Sequence, residues 1–467
     1  MIALGLGEVG HLTGGRLVDG ATSEAVVTGP VVIDSRRATP GSLFVCVAGE
    51  HTDGHHFAAA AAEAGAVAAL AARPVGVPAV LVDDPQAALG RLARAVLDRA
   101  AGCRVVGVTG SSGKTSTKDL LGRVYEMEGP TIAPENSFNN ELGLPLTVLR
   151  VDDTTRTLIC EYSARGAGHI RYLCGIAPPS TGIVLNVGAA HLGEFGSREA
   201  IADAKGEMVE ALPAGGTAVL NADDALVLGM RSRTRATILT FGESAAADVR
   251  VLDITADELA RPGFVLRTPA GETRVNLQLH GRHHAVNAAA VAAAALADGI
   301  ALDTVAEGLR SATARSGRRM AVHRRPDGLV VVDDSYNANP ESVRAALDAL
   351  TRIAGEAGRR RWAVLGEMRE LGAESAALHA AVGAYAAGAG VDEIVAVGAA
   401  APVAEGASTV AGWTGRARVV ADVAAAVALV ARETAAADVV LVKASNSIAL
   451  WAVADALLAP TGVGASA

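Results

Sequence analysis

Residues 104–119 read RVVGVTGSSGKTSTKD, and their types and spacing suit one kind of chemistry, the holding of phosphate. Gly110 and Gly113 let backbone N–H groups converge on phosphate oxygens, with Ser111 and Ser112 between them. Lys114 supplies a cation and the Thr115 hydroxyl suits a Mg²⁺ ion. Ser116 follows in the first turn of a helix whose N-terminus adds partial positive charge. The spacing departs from the usual P-loop: the position five before Gly113 is Val108, and the glycines fall instead at Gly107, Gly110 and Gly113. A Gly-rich turn of purely structural kind is the alternative. The β-branched run before the loop, and the amphipathic stretch with Leu120, Leu121, Val124 and Tyr125 after it, favour a nucleotide phosphate.

Other polar residues fall where such a site could use them. Glu161 ends TLICEY (157–162), and His191 follows TGIVLNVGAA (181–190). A hydroxyl, a carboxylate and an imidazole around phosphates suit Mg²⁺, which takes few protein ligands and keeps its waters. Taken singly, Glu161 reads equally as a cap or ion-pair residue and His191 as a loop histidine; their shared place at strand ends groups them with Thr115. His283 and Asn287 are four apart at the start of a helical stretch and so share a face. Ser35 and Arg36 after one strand, and Gly49, Asp53, Gly54 and His55 before a helix, could hold a polar ligand or simply make turns.

The elements that must position these residues follow from pattern. In the first hundred residues, strands are expected at 31–37, 43–47 and 78–84, with an Ala-rich helix over 58–71 and another over 86–100. Apolar runs at 157–162, 181–187, 217–221 and 237–242 alternate with helical stretches, which implies a parallel sheet covered on both faces with ligands at the strand carboxyl ends. Helices from 281 and over 303–312 follow, and 314–319 reads as a linker. A fresh alternation then begins, with strands at 329–340, 361–368, 393–398 and 438–445 and helices over 341–354, 373–388 and 421–435, a Rossmann-like pattern. Asp334, Asn337, Asn339, Glu367, Lys443 and Ser445 crowd its strand ends, although Asn339-Pro340 is also a good helix start.

Composition bounds the class. A chain of 467 residues exceeds one ordinary core, and the patterns divide it into domains at 1–102, 103–313 and 314–467, α/β throughout. Cys46, Cys103, Cys160 and Cys174 have neither CxxC spacing nor histidine partners, so they read as reduced core residues, not a zinc site. A net charge of −9 without a basic run argues against a nucleic-acid partner. The longest apolar-looking stretch, 285–297, is interrupted by Asn287 and falls short of the ~20 residues of a membrane span. With no signal-like N-terminus, a cytoplasmic protein is expected.

Over nearly its whole length the chain resembles the Mur ligases. The resemblance is carried by DSR (34–36), GEHTDGHHF (49–57), TGSSGKT (109–115), NSFNNELGLPLTVL (136–149), NVGAAHLGEFGS (186–197), AKGE (204–207), GRHHAVNAAA (281–290), RRM (318–320) and DDSYNANPES (333–342). DDSYNANP makes it most similar to the member of that family whose substrates are UDP-N-acetylmuramoyl-tripeptide and D-alanyl-D-alanine. The chain departs from the family pattern at Tyr162-Ser163, which replace an expected Met-Gly, and at Asn446 and Trp451, in place of arginine and glutamate.

What the resemblance implies is an ATP- and Mg²⁺-dependent carboxylate–amine ligase, acting as a monomer, with three domains. A small α/β domain would hold the uridine nucleotide through Ser35, a central P-loop-like sheet would bind ATP, and a Rossmann-like domain would complete the site. Lys114 would meet the β- and γ-phosphates, Thr115 and Glu161 one Mg²⁺, and His191 and Lys205 a second, with Lys205 carbamylated. Carbamylation needs a neutral amine and hence a desolvated lysine; by residue type alone Lys205 reads as an exposed helix lysine. His283 and Asn287 would face adenine, and Arg319 and Asp334 would reach phosphate and ribose. Asn139, Asn140, Tyr336, Asn337 and Lys443 would contact the peptide substrates. ATP would phosphorylate a carboxylate and the amine would attack the acyl phosphate, which requires the C-terminal domain to close and exclude water. A sibling ligase adding one amino acid, a cyanophycin- or folylpolyglutamate-like ligase, and an inactive nucleotide-binding regulator are the other readings.

Overall fold

The structure is a computed structural model that describes residues 2–49, 52–134, 137–190, 192–355 and 358–459. Near the N-terminus, Arg16–Val18, Ala79–Leu81, Ala68–Ala71, Leu43–Val45 and Val31–Val32 pair in that order into a five-stranded sheet, parallel apart from its first pair. The Ala-rich segment expected as one helix over 58–71 is divided. A helix covers Ala58–Glu63, Gly65 turns the chain at φ +100°, and Ala68–Ala71 is a fully buried strand. Alanine favours helix locally, but sheet pairing on both sides outweighs that preference.

The central sheet has nine strands, and its parallel core places Arg104–Thr109 between Thr157–Glu161 and Thr181–Val184. Thr217–Asn221 and Thr237–Gly242 extend it in parallel. Beyond them Val249–Ala256, Pro262–Thr268 and Gly271–Asn276 form an antiparallel meander that pattern reading did not separate. Val249–Ala256 is buried only at Val249 and Val251 and half-buried or exposed elsewhere, and so lacks the continuous apolar run that marks its neighbours. Helices Lys114–Glu126 and His283–Ala297 pack together over one face, the second burying an almost unbroken row of alanines.

The third sheet runs Ala321–Arg324, Val330–Asp333, Val439–Lys443, Arg361–Leu365, Glu393–Val397, Arg416–Val420, parallel except for its first strand. Helix Pro402–Ser408 and edge strand Arg416–Val420 fall where the sequence showed no clear pattern, because RARVV is half exposed and charged. The molecule is therefore α/β with three domains. The carboxyl ends of the central and C-terminal strands face each other across a cleft of about 1260 Å³. Among the described residues no helix is long and apolar enough to cross a membrane.

Candidate active site

The cleft is built up from the loop after Arg104–Thr109. Gly110 (φ +158°) and Gly113 (φ +82°) turn it, and a Cβ on Gly113 would lie 3.1 Å from Asn287 Oδ1. Asn186, at the end of the neighbouring strand run, pins the loop by accepting from Ser112 N–H at 2.9 Å and donating to Ser112 O at 3.2 Å. Ser111 Oγ accepts from Gly188 N–H at 2.9 Å. Helix Lys114–Glu126 then starts without a side-chain cap, leaving its first N–H groups directed at the cleft, with Ser116 on its lining. Lys114 Nζ donates to Gly110 O at 2.6 Å, which holds the ammonium beside the loop. Burial lowers its pKa, opposed by the carboxylates of Glu161 and Glu370.

Thr115 and Glu161, 46 residues apart, meet: Thr115 Oγ1 donates to Glu161 Oε2 at 3.0 Å, and Asn139 Nδ2 donates to Glu161 Oε1 at 2.8 Å. Thr115 also bonds Ser137 Oγ at 2.9 Å, and Ser137 accepts from Arg319 Nη2 at 2.7 Å. Ser137 thus joins the phosphate loop to the C-terminal domain. Neither it nor Asn186 was singled out from the sequence, although each lies in a quoted motif and Asn186 is a polar residue at a strand end. Asn140 Oδ1 accepts from Gly143 N–H at 2.8 Å while still lining the cleft.

From the C-terminal side, Arg319 lies 4.2 Å over the Tyr336 ring. Its neighbours Arg318 and Met320 both adopt positive φ, +59° and +51°, a conformation that non-glycine residues take at a cost. Asp334 Oδ1 accepts from Met320 N–H at 3.1 Å. Lys443 Nζ donates to Asp334 Oδ2 at 2.5 Å and to Asn337 O at 2.8 Å, so this buried lysine is held inside the cleft wall. Asn339 caps helix Pro340–Ala354 in a capping box and also approaches Ser111 O at 3.5 Å. Glu341 Oε1 accepts from Ala189 N–H at 3.0 Å, and Gly193 N–H donates to Glu370 O at 2.9 Å. The two domains are in contact through these bonds.

His283, half-buried, and Asn287, buried, line the cleft on one helix, and among the described residues the buried atoms His283 Nδ1 and Asn287 Nδ2 have no hydrogen-bond partner. Burial pulls His283 down to about 4, which leaves a neutral ring. Orphaned buried nitrogens beside a glycine cradle fit a nucleotide whose base supplies the missing partners. Thr115 and Glu161 present oxygens of the hard type that Mg²⁺ prefers.

Lys205 sits on helix Arg198–Glu210 and is 4 % exposed, which overturns the exposed-lysine alternative. Burial drives its amine well below the ordinary lysine value, and the Lys114 charge adds to the effect. His191 lies outside the described residues; its neighbour Ala190 lines the cleft. Ser35 opens a short 3-10 helix in the N-terminal domain, capped by Asp34, and is not part of the cleft lining.

Family comparisons agree with this geometry. The Mur ligase catalytic-domain family matches residues 30–96, the Mur ligase middle domain 108–295, and the Mur ligase glutamate ligase domain 318–446. A relative from Mycobacterium leprae, UDP-N-acetylmuramoyl-tripeptide--D-alanyl-D-alanine ligase, is 44% identical over 510 residues, spanning 98% of this chain and 99% of its own. The chain belongs to the Mur ligase family. As a Mur ligase it is an ATP-dependent carboxylate–amine ligase. Among solved Mur ligases, a crystal structure of MurF from Acinetobacter baumannii superposes with a TM-score of 0.87 at 30% identity, covering 97% of this chain and 98% of that one. MurF ligase from Thermotoga maritima, solved in complex with ADP, gives 0.76 at 29% identity over 92% and 97%.

Proposed function

We propose that this chain joins D-alanyl-D-alanine to UDP-N-acetylmuramoyl-tripeptide at the cost of ATP, forming the UDP-N-acetylmuramoyl-pentapeptide precursor of peptidoglycan. The observation that carries the reading is the convergence on Ser137, where Thr115 of the phosphate loop and Arg319 of the C-terminal domain bond one hydroxyl. The 44% identity with the Mycobacterium leprae ligase supports the choice of substrates.

In this reading residues 1–102 bind the uridine nucleotide, with Ser35 among the contacts, residues 103–313 bind ATP, and residues 314–467 complete the site. The loop N–H groups and Lys114 hold the β- and γ-phosphates, and Arg319 adds a second cation. His283 and Asn287 orient the base, and Asp334 the ribose. Thr115 and Glu161 would hold one Mg²⁺, and His191 and a carbamylated Lys205 a second; bound there, the metal would neutralise phosphate charge. The tripeptide carboxylate takes the γ-phosphoryl group, the dipeptide amine attacks the resulting acyl phosphate, and phosphate leaves. Asn139, Asn140, Tyr336 and Asn337 line the space for the two peptides, with Lys443 behind them. No side-chain nucleophile is required, so catalysis is positioning plus charge stabilisation. The contacts of Gly193 and Ala189 with the C-terminal domain serve to keep water from the acyl phosphate. The enzyme acts as a cytoplasmic monomer.

Phosphate release from ATP with Mg²⁺ and UDP-N-acetylmuramoyl-tripeptide, with and without D-alanyl-D-alanine, tests the reading. Dipeptide-dependent release with the mass of the UDP-pentapeptide is expected. Release only with a single amino acid on a shorter UDP-peptide would make the chain a sibling ligase and give Ser163 and Asn446, both on the cleft lining, a part in that difference.

A further inference from the structure

One turn below the phosphate loop, helix Lys114–Glu126 carries two adjacent charged residues with almost no solvent contact, Lys118 at 1% and Asp119 at 4% exposure. They stand four residues after Lys114 and Thr115 and so lie beneath them on the same faces. Their side chains pair at 2.5 Å. Burying such a pair is unfavourable unless every hydrogen bond is made, and here the bonds are made to two distant segments.

Lys118 Nζ donates to Pro134 O at 2.8 Å and to Ser316 Oγ at 3.1 Å. Asp119 Oδ2 accepts from the N–H groups of Arg315 at 3.3 Å and Ser316 at 3.0 Å, and Oδ1 accepts from Ser316 Oγ at 3.2 Å. Pro134 leads toward Ser137 and Asn139, the partners of Thr115 and Glu161. Arg315 and Ser316 lead to Arg319, set between two residues of strained backbone. Beyond Arg319 the chain is held again by Asp334. A cavity of about 250 Å³ bounded by Asp119, Ser316 and Arg319 leaves the segment room to move if it is released.

We propose that Lys118 and Asp119 are positioning residues for the nucleotide step. The knot they form ties the phosphate-loop helix to Pro134 and to the interdomain linker at 315–316, so that Thr115, Ser137 and Arg319 meet in one register. The inference rests on the ligase reading for its kinetic consequence but not for its structural one.

The test uses the full chain with Lys118→Met and Asp119→Leu combined. Replacing a buried ion pair by apolar residues of similar size preserves folding in many proteins, while deleting one partner does not. The expected result is a melting midpoint close to wild type, little change in KM for ATP, a kcat lower by about 10²-fold, and faster amide hydrogen exchange confined to 315–320. A double variant that keeps wild-type kcat, or whose 315–320 amides stay protected, overturns the proposal. Ser316→Ala leaves the ion pair buried and removes the hydroxyl that bonds both of its members; a lower melting midpoint, a severalfold fall in kcat and faster linker exchange are expected, and no change in either kcat or linker exchange counts against the knot. Exchange is read without turnover, so it judges the anchoring even if the wild-type chain joins a different amine.

Discussion

Thr115 Oγ1 donates a 3.0 Å hydrogen bond to Glu161 Oε2, joining the first turn of one helix to the end of the neighbouring strand. The carboxylate is 1% exposed, and Thr115 and Asn139 donate to its two oxygens as neutral groups. A buried charge held by neutral donors is poised for a cation.

Glu161→Gln keeps the shape and removes the charge. It is expected to lower kcat by about 10²–10³-fold and to raise the Mg²⁺ concentration needed for half-maximal phosphate release. A Mg²⁺ titration at saturating ATP checks both, and an unchanged Mg²⁺ midpoint would remove Glu161 from the metal site.

Lys205 carries a desolvation cost. Its amine is depressed from the ordinary 10.5, so on falling pH the unfolded chain takes up the proton first and stability drops. In CO₂-free buffer, Lys205→Met should melt higher than wild type near neutrality, with the difference shrinking as pH rises toward 10.5. The variant should also lose ligation, and bicarbonate should stimulate wild type alone. Thermal melts across pH and rates with and without bicarbonate decide this.

His283 is neutral when folded, its value pulled by burial from 6.5 to about 4. Its contribution to stability is therefore whole above pH 6.5 and is lost as pH falls through the window to about 4, at about 1.4 kcal/mol per pH unit. His284, also buried and depressed, adds to the same acid slope. Replacing His283 with Asn should flatten the pH dependence of unfolding between these limits and weaken ATP binding. An unaltered slope in urea melts would show that the ring is charged in the folded protein.

Gly193 and Gly372 touch across the domain boundary. A Cβ on Gly193 would lie 2.5 Å from Gly372 N, with backbone on both sides and no flexible atom to yield. Gly193→Ala is expected to hold the domains apart, with ATP binding near wild type, kcat reduced by about 10²-fold and a larger radius of gyration in the presence of nucleotide. Small-angle scattering and steady-state kinetics give the answer; wild-type compaction in the variant would dissociate this contact from closure.

The phosphate loop was legible because it is local: Gly110, Gly113, Lys114 and Thr115 lie within six residues and their function follows from backbone conformation and a helix start. Glu161 was legible for a related reason, since a charge that ends an apolar run must sit at a strand end, and parallel strands present those ends on one side. The Ala-rich 58–71 misled because propensity is a property of the segment, whereas pairing with Leu43–Val45 and Ala79–Leu81 is not.

By itself the sequence determined the alternating α/β order, the phosphate cradle and, through its motifs, the family. Only the tertiary structure decided which polar residues share a cavity and which are buried. Lys205 looks like any helix lysine until the surrounding core removes its water. Ser137 is one serine in a loop until Thr115, 22 residues before it, and Arg319, 182 residues after it, bond its hydroxyl. Lys118 and Asp119 pass for a solvated pair until Ser316, 198 and 197 residues away, closes over them. Burial and partnership are set by packing between distant segments, and no periodicity along the chain encodes them.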